Sequence, residues 1–235
     1  MTPSDTARPA LSAGAQTLDR GLHILELLAD APHGLTVTEL ATALGVHRAV
    51  VYRLVTTLTS RGLVARSDGG RVRLWTGVVR LARGAFSELR TAAMPELETL
   101  ARDVEATATL SVADGGEAIC IAVVEPQNTV MHVAYRTGTR HPLTMGASGK
   151  AILAGHAPQP NEPPDVAAAR RRGYVQTEGE LQSGAVGLAA PIRVGAAPPE
   201  ASVAVVSLAP LGPECAPRVV DAADRISRAL TDAML

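Results

Sequence analysis

The chain has 235 residues, enough for one large domain or two modest ones; 46% are apolar, but only 2% are aromatic, which leaves few platforms for stacking single-stranded bases. The net charge of −1 hides an asymmetry, since residues 1–90 carry 11 arginines against 7 carboxylates and residues 91–235 carry 11 basic against 16 acidic groups, the pattern of a nucleic-acid module fused to something else. Cys120 and Cys215 form no paired motif, which argues against a disulfide framework or zinc site and fits a reducing cytoplasm; no apolar run approaches the ~20 residues that span a bilayer, so no membrane partner is expected.

Residues 1–14 are polar and Pro/Ala-rich and read as a disordered tail. From Thr17 to Asp30, Leu18, Leu22, Leu25 and Leu28 recur at helical spacing, and Pro32, His33 and Gly34 end the helix. Thr36 and Glu39 form the S/T-x-x-E pattern of a capping box, and the helix they open buries Val37, Leu40, Ala41 and Leu44 before stopping at Gly45. A third helix, residues 47–60, turns Val51, Leu54, Val55 and Leu58 inward. Its other face carries Arg48, Ala49, Tyr52, Arg53 and Thr56. Leu63-Val64-Ala65 and Val72-Arg73-Leu74 pair as strands around Asp68-Gly69-Gly70, a hairpin signal.

Helix, helix, short glycine turn, helix and hairpin make a winged helix-turn-helix over residues 15–75, with the third helix placed to enter a major groove. Thr38, His47, Arg48, Ala49, Tyr52, Arg53 and Thr56 are the candidate contacts from the helices. Arg66, Arg71 and Arg73 are those of the wing. The competing reading is a helical module whose arginines are merely solvated. Residues 76–92, with Val78, Val79, Leu81, Ala82 and Phe86 near helical spacing, read as a linker helix. A homodimer is physically sensible, because two recognition helices read a near-palindrome that one cannot cover.

Residues 93–235 read as a second domain of class α+β. A helix begins at Pro95; strands follow at Thr107–Val112, Ala118–Val124 and Val130–Tyr135, then at Gly187–Val194 and Ala201–Leu208, and a last amphipathic helix covers Ala216–Met234. Gly146 and Gly149 permit close backbone approach at the start of a helix near Ser148, a place that favours an anion, and the chain's only lysine, Lys150, adds a charge there. Arg170, Arg171 and Arg172 fit a solvated helix C-terminus better than a second DNA patch. Ser148 and Cys120 have no visible base partner, and the histidines form no metal-binding pattern, so neither catalysis, metal nor cofactor is expected.

Residues 18–74, from the L-x-R-x-L-x-I-L-E-L-L opening to the R-x-R-L wing, resemble the DNA-binding half of IclR-type regulators. The stretches PLTMGASGKAILAG and GYVQTEGELQSGAVGLAAPIR are similar to the motifs of that family's GAF-like effector domain. The resemblance implies a ligand-responsive transcriptional repressor, acting on a double-stranded operator as a homodimer or a dimer of dimers. The alternative is a small-molecule-binding protein or enzyme whose helical front half only mediates oligomerisation. Carried over by position, the effector-binding candidates are Leu143, Thr144, Met145, Gly146, Ala147, Thr177, Gly187, Leu188, Ala189 and Ser207. The chain departs from the family at Ala49-Val50, where relatives place Ser-Thr, at Thr144, where many have His, and in a shortened segment over residues 155–172.

Overall fold

A computed structural model describes residues 15–67, 69–82, 84–127, 133, 135–160, 162–194 and 200–233. The expected tail, Asp68 of the hairpin turn and most of the strand expected at Val130–Tyr135 lie outside them. The chain divides into two compact units, residues 1–85 and 86–235. Among the described residues no helix is long and apolar enough to cross a membrane.

The first unit comprises α1 (Gln16–Ala29), α2 (Val37–Leu44), α3 (Arg48–Ser60), the hairpin β1 (Val64–Arg66) and β2 (Val72–Leu74), and α4 (Thr76–Ala82). Ile24, Leu28, Leu40, Val51, Val55, Val64 and Val72 close its core, each burial contributing roughly 1.5–3 kcal/mol. The capping box forms in full. The Thr36 amide donates to Glu39 Oε2 at 2.6 Å and the Glu39 amide to Thr36 Oγ1 at 3.2 Å. The bond from the Thr36 amide leads the effects that lower the Glu39 pKa. Gly45 ends α2 in the left-handed region, φ 63°, and α3 begins at Arg48 after only Val46 and His47. Gly34 also has positive φ, and a Cβ there would collide with the Val72 carbonyl. That close approach lets Leu35 bridge to Val72 and add an edge to the wing.

The second unit comprises α5 (Ser87–Val104), β3 (Thr107–Asp114), β4 (Glu117–Val124), β5 (Arg140–Pro142), α6 (Gly146–Gly155), α7 (Pro164–Arg172), β6 (Val175–Glu178), β7 (Val186–Ile192), β8 (Ala201–Ser207) and α8 (Cys215–Asp232). The described strands form one antiparallel sheet in the order β5-β4-β3-β8-β7-β6. Leu110, Leu188, Ile192, Val203 and Val205 pack on one face with Leu97 and Leu100 of α5 and Val219 and Ile226 of α8. Ala189 and Ala204 pack on the other with Ala147 and Ala151 of α6 and Val166 of α7.

Two expectations need correction. The linker over residues 76–92 is not one helix: α4 stops at Ala82, Phe86 takes a left-handed φ of 54° and α5 starts at Ser87. Gly84 weakens helix there, and Val79 and Leu81, 64% and 62% exposed, have no burial to sustain it. Nor does the next helix wait for Pro95, which lies inside α5. Pro95 is exposed, so its ring faces water while Ala93 and Leu97 hold the buried face.

The short segment between α6 and α7 is held by Arg170. Its guanidinium grips both Glu162 oxygens at 2.9 Å and donates to the carbonyls of His156 at 3.2 Å and Leu153 at 3.4 Å, at the C-terminal end of α6. The fork on Arg170 leads the effects that hold the Glu162 carboxyl down at about 2. A depressed carboxylate stabilises the fold above its unfolded pKa of ~4.3, and that stabilisation is lost as pH falls towards the folded value. Glu162→Gln is therefore expected to be less stable than wild type at pH 7, with the difference closing between pH 5 and pH 2. Urea unfolding across that range checks it, and a gap that stays constant would count against the ion pair.

Candidate functional site

In the first unit the inward residues of α3 leave one side free. Arg48, Ala49, Tyr52, Arg53 and Thr56 are all exposed, and so is His47 at the N-cap. Thr38, on α2, is exposed too. No acidic side chain occurs in α3, whose N-terminus adds the positive end of its backbone dipole. The hydroxyls offer less than the sequence suggests, since Thr56 Oγ1 donates to its own helix at the Tyr52 carbonyl, 2.8 Å away.

The wing arginines are not equivalent. Arg66 lies over the Tyr52 ring, 4.4 Å from its centroid, a contact worth about 0.5–1 kcal/mol at an exposed site. Arg73 lies over Trp75 at 5.7 Å. Both stacks leave the guanidinium edges to meet acceptors. Arg71 instead donates to the Gly34 carbonyl at 2.8 Å and to Glu39 Oε2 at 3.4 Å. It ties the wing to the start of α2 rather than standing free.

In the second unit a cavity of about 40 Å³ lies between the sheet and the N-terminus of α6. Of the expected effector contacts, Gly146, Ala147, Thr177 and Gly187 line it. Gly187 creates part of the space, because a Cβ there would stand 3.2 Å from both Ala147 Cβ and Thr177 Oγ1. Leu188 is on the opposite face, among the α5 and α8 side chains, because side chains alternate along β7. Ser207 does not line the cavity either; its hydroxyl accepts from the Ala209 amide at 3.0 Å, and its neighbour Val206 takes the lining position. Ala189 is packed in the core beneath α6. Leu143 serves as backbone support, 2.7 Å from where a Gly149 Cβ would be, while Thr144 and Met145 are exposed.

Sequence reasoning missed Glu180, Leu181, Gln182 and Tyr135 in the lining, and it misjudged Lys150. Lys150 Nζ donates to Asp165 Oδ2 and to Glu180 Oε1, both at 2.6 Å, with its side chain only 7% exposed. Burial pulls its pKa down, but the two carboxylates more than offset this and leave it raised. Glu180 Oε2 accepts from the Gly146 amide at 2.8 Å. The anion expected at this helix terminus is therefore supplied by the chain itself. Among the described residues no group of three His, Cys, Asp or Glu side chains is placed to hold a metal.

Residues 17–68 match the model of the IclR helix-turn-helix domain, and residues 85–162 match that of the bacterial transcriptional regulator IclR C-terminal domain. An HTH-type transcriptional regulator of Mycobacterium tuberculosis is 33% identical over 149 residues, covering 63% of this chain and 57% of its own. The DNA-binding transcriptional repressor YiaJ of Escherichia coli is 32% identical over 148 residues, covering 61% and 52%. The match thus spans little more than half the length of these curated relatives. Among solved structures, a transcriptional regulator from Rhodococcus sp. RHA1 superposes with a TM-score of 0.79 at 25% identity, covering 94% of this chain and all of the other. An IclR homolog from Microbacterium hydrocarbonoxydans, complexed with 4-hydroxybenzoate, gives 0.80 at 24% identity, covering 92% and 99%.

The Lys150 cluster yields a stability prediction. Lys150→Met leaves Asp165 and Glu180 facing each other without their cation. Breaking a buried pair costs about 3–5 kcal/mol; these carboxylates keep 42% and 30% of their surface, so about 1–2 kcal/mol is expected. Chemical denaturation of the variant measures it, and an unchanged midpoint would show the cluster to be idle.

Proposed function

The chain belongs to the IclR family of bacterial transcriptional regulators, and on that premise we propose that it is an operator-binding repressor, gated by a small molecule and acting as a homodimer. The observation that carries this is the exposed, acid-free face of α3 with Arg48 and Arg53 on it. Such a face has no packing role in its own unit, and it matches the polyanionic groove of duplex DNA in charge and in helix width.

The homodimer is supported by apolar surface that the described residues of the first unit leave uncovered. Leu18 and Leu22 of α1 are 63% and 51% exposed, and Val79 and Leu81 of α4 more than 60%. Gating is supported by the cavity under α6. A ligand there regulates only if it binds the operator-competent and operator-free states with different affinity. Catalysis has no support from the reactive side chains: Cys120 is buried and its thiol is pushed up to about 11, and Lys150 is held between carboxylates. The reading places the protein in the cytoplasm, with the chromosome.

Fluorescence anisotropy on duplex DNA from the chain's own upstream region tests the reading. Arg48→Ala and Arg53→Ala should each weaken binding about tenfold or more, consistent with ~1–3 kcal/mol per lost contact, and a phosphate contact should also lower the salt slope by about one. Unchanged affinity and unchanged slope in both variants would remove α3 as the reading element.

A further inference from the structure

We propose that the cavity beneath α6 selects small uncharged ligands and rejects carboxylates. The proposal rests on reading the second unit as an effector domain and names the class of molecule that domain takes.

A helix N-terminus beside a lysine is ordinarily a place for an anionic ligand. Here both attractions are already satisfied from within. One oxygen of Glu180 receives the Gly146 amide at 2.8 Å, and the other receives Lys150 Nζ at 2.6 Å. Lys150 is shared with Asp165 at the same distance, so one ammonium faces two carboxylates. A further anion would meet net negative charge beside carboxylates that keep 30% and 42% of their surface, where solvent weakens the repulsion without removing it.

The rest of the wall points the same way. Among the described lining residues Glu180 carries the only charge. Tyr135 is neutral, its phenol pushed up to about 12 chiefly by burial. With Thr177 and Gln182 it offers hydrogen bonds without charge, and Val133, Leu181 and Val206 offer apolar contact.

Access follows from the loop that carries Glu180. The cavity of about 40 Å³ has room for only a few waters, because Leu181 fills the space beside it. The Leu181 Cδ1 lies 2.5 Å from where a Gly146 Cβ would be, yet the side chain is 45% exposed. Gly179 and Gly184, both with positive φ, bound the loop. A neutral ligand takes the place of Leu181 and leaves Glu180 on its partners. A carboxylate at the helix terminus has to displace Glu180 from both.

Calorimetric titration of the full chain at pH 7.5 with shape-matched pairs tests this: benzoate against benzamide, 4-hydroxybenzoate against 4-hydroxybenzamide, and isovalerate against isobutyl methyl ketone. In every pair whose neutral member binds, that member should bind at least tenfold tighter than its acid. Glu180→Gln should narrow that ratio severalfold, and Leu181→Ala, which alters no charge, should keep it. A carboxylate that binds as tightly as its neutral partner overturns the proposal, and so does failure of every neutral member to bind. Neither result touches operator binding, which the duplex titration judges separately.

Discussion

Lys150 is the point at which three segments distant in sequence are made to agree. It rises from α6, reaches Asp165 at the start of α7, and reaches Glu180 on the loop before β7. Taking an ammonium to 7% exposure is costly unless its hydrogen-bonding capacity is met. Two carboxylates meet most of it, and neither would be stable so close to the other without the cation. Glu180 then extends the arrangement to the backbone by receiving the Gly146 amide. The three groups form a unit whose members are costly to remove one at a time, and this sets where α7 and the loop over residues 179–184 can lie. The cavity is what remains between that unit and the sheet.

A comparable constraint operates in the first unit, with arginine in the central role. Arg71 crosses from the wing to the Gly34 carbonyl and to Glu39, the same carboxylate that completes the capping box of α2. The close approach of Gly34 to Val72 places the wing against the turn before α2. Helix-turn-helix and wing are thereby one body, and Arg66 is laid over Tyr52 of α3 as a consequence. Sequence reading treats Arg66, Arg71 and Arg73 as three like contacts. Geometry divides them, because a guanidinium whose Nη1 is already committed to a carbonyl and a carboxylate has less to give to phosphate than one for which the described residues show only a ring stack.

Which features the sequence discloses follows from the range of the interactions that produce them. The capping box, the Gly45 stop and the inward residues of α3 are local, and they form where the spacing places them. The strands β3, β4, β7 and β8 are long and apolar and are legible for the same reason. β5 and β6 are short edge strands of three and four residues, too brief to show periodicity. Their neighbours in the sheet define them. Of the motif candidates, Gly146, Ala147, Thr177 and Gly187 line the cavity, whereas Leu188 faces the other side of the sheet and Ser207 lies one residue past the lining Val206. Such an offset sends a side chain to the opposite face. Glu180 could not be assigned at all, since its role depends on a contact with residues 30 or more positions away.

The cavity wall has two origins, and this bears on how far family membership can predict a ligand. Val133, Tyr135, Gly146, Ala147 and Ser148 come from the segment that the family model recognises, and the last three supply a frame of small residues and backbone amides. Thr177, Glu180, Leu181, Gly187 and Val206 come from beyond it. With Val133 and Tyr135, these are the side chains that set charge, volume and hydrogen bonding inside. In this chain the wall brings its own carboxylate to the N-terminus of α6. Resemblance in the frame therefore carries the fold, while the chemistry of the cavity has to be read from Val133, Tyr135 and residues 177–206, one side chain at a time.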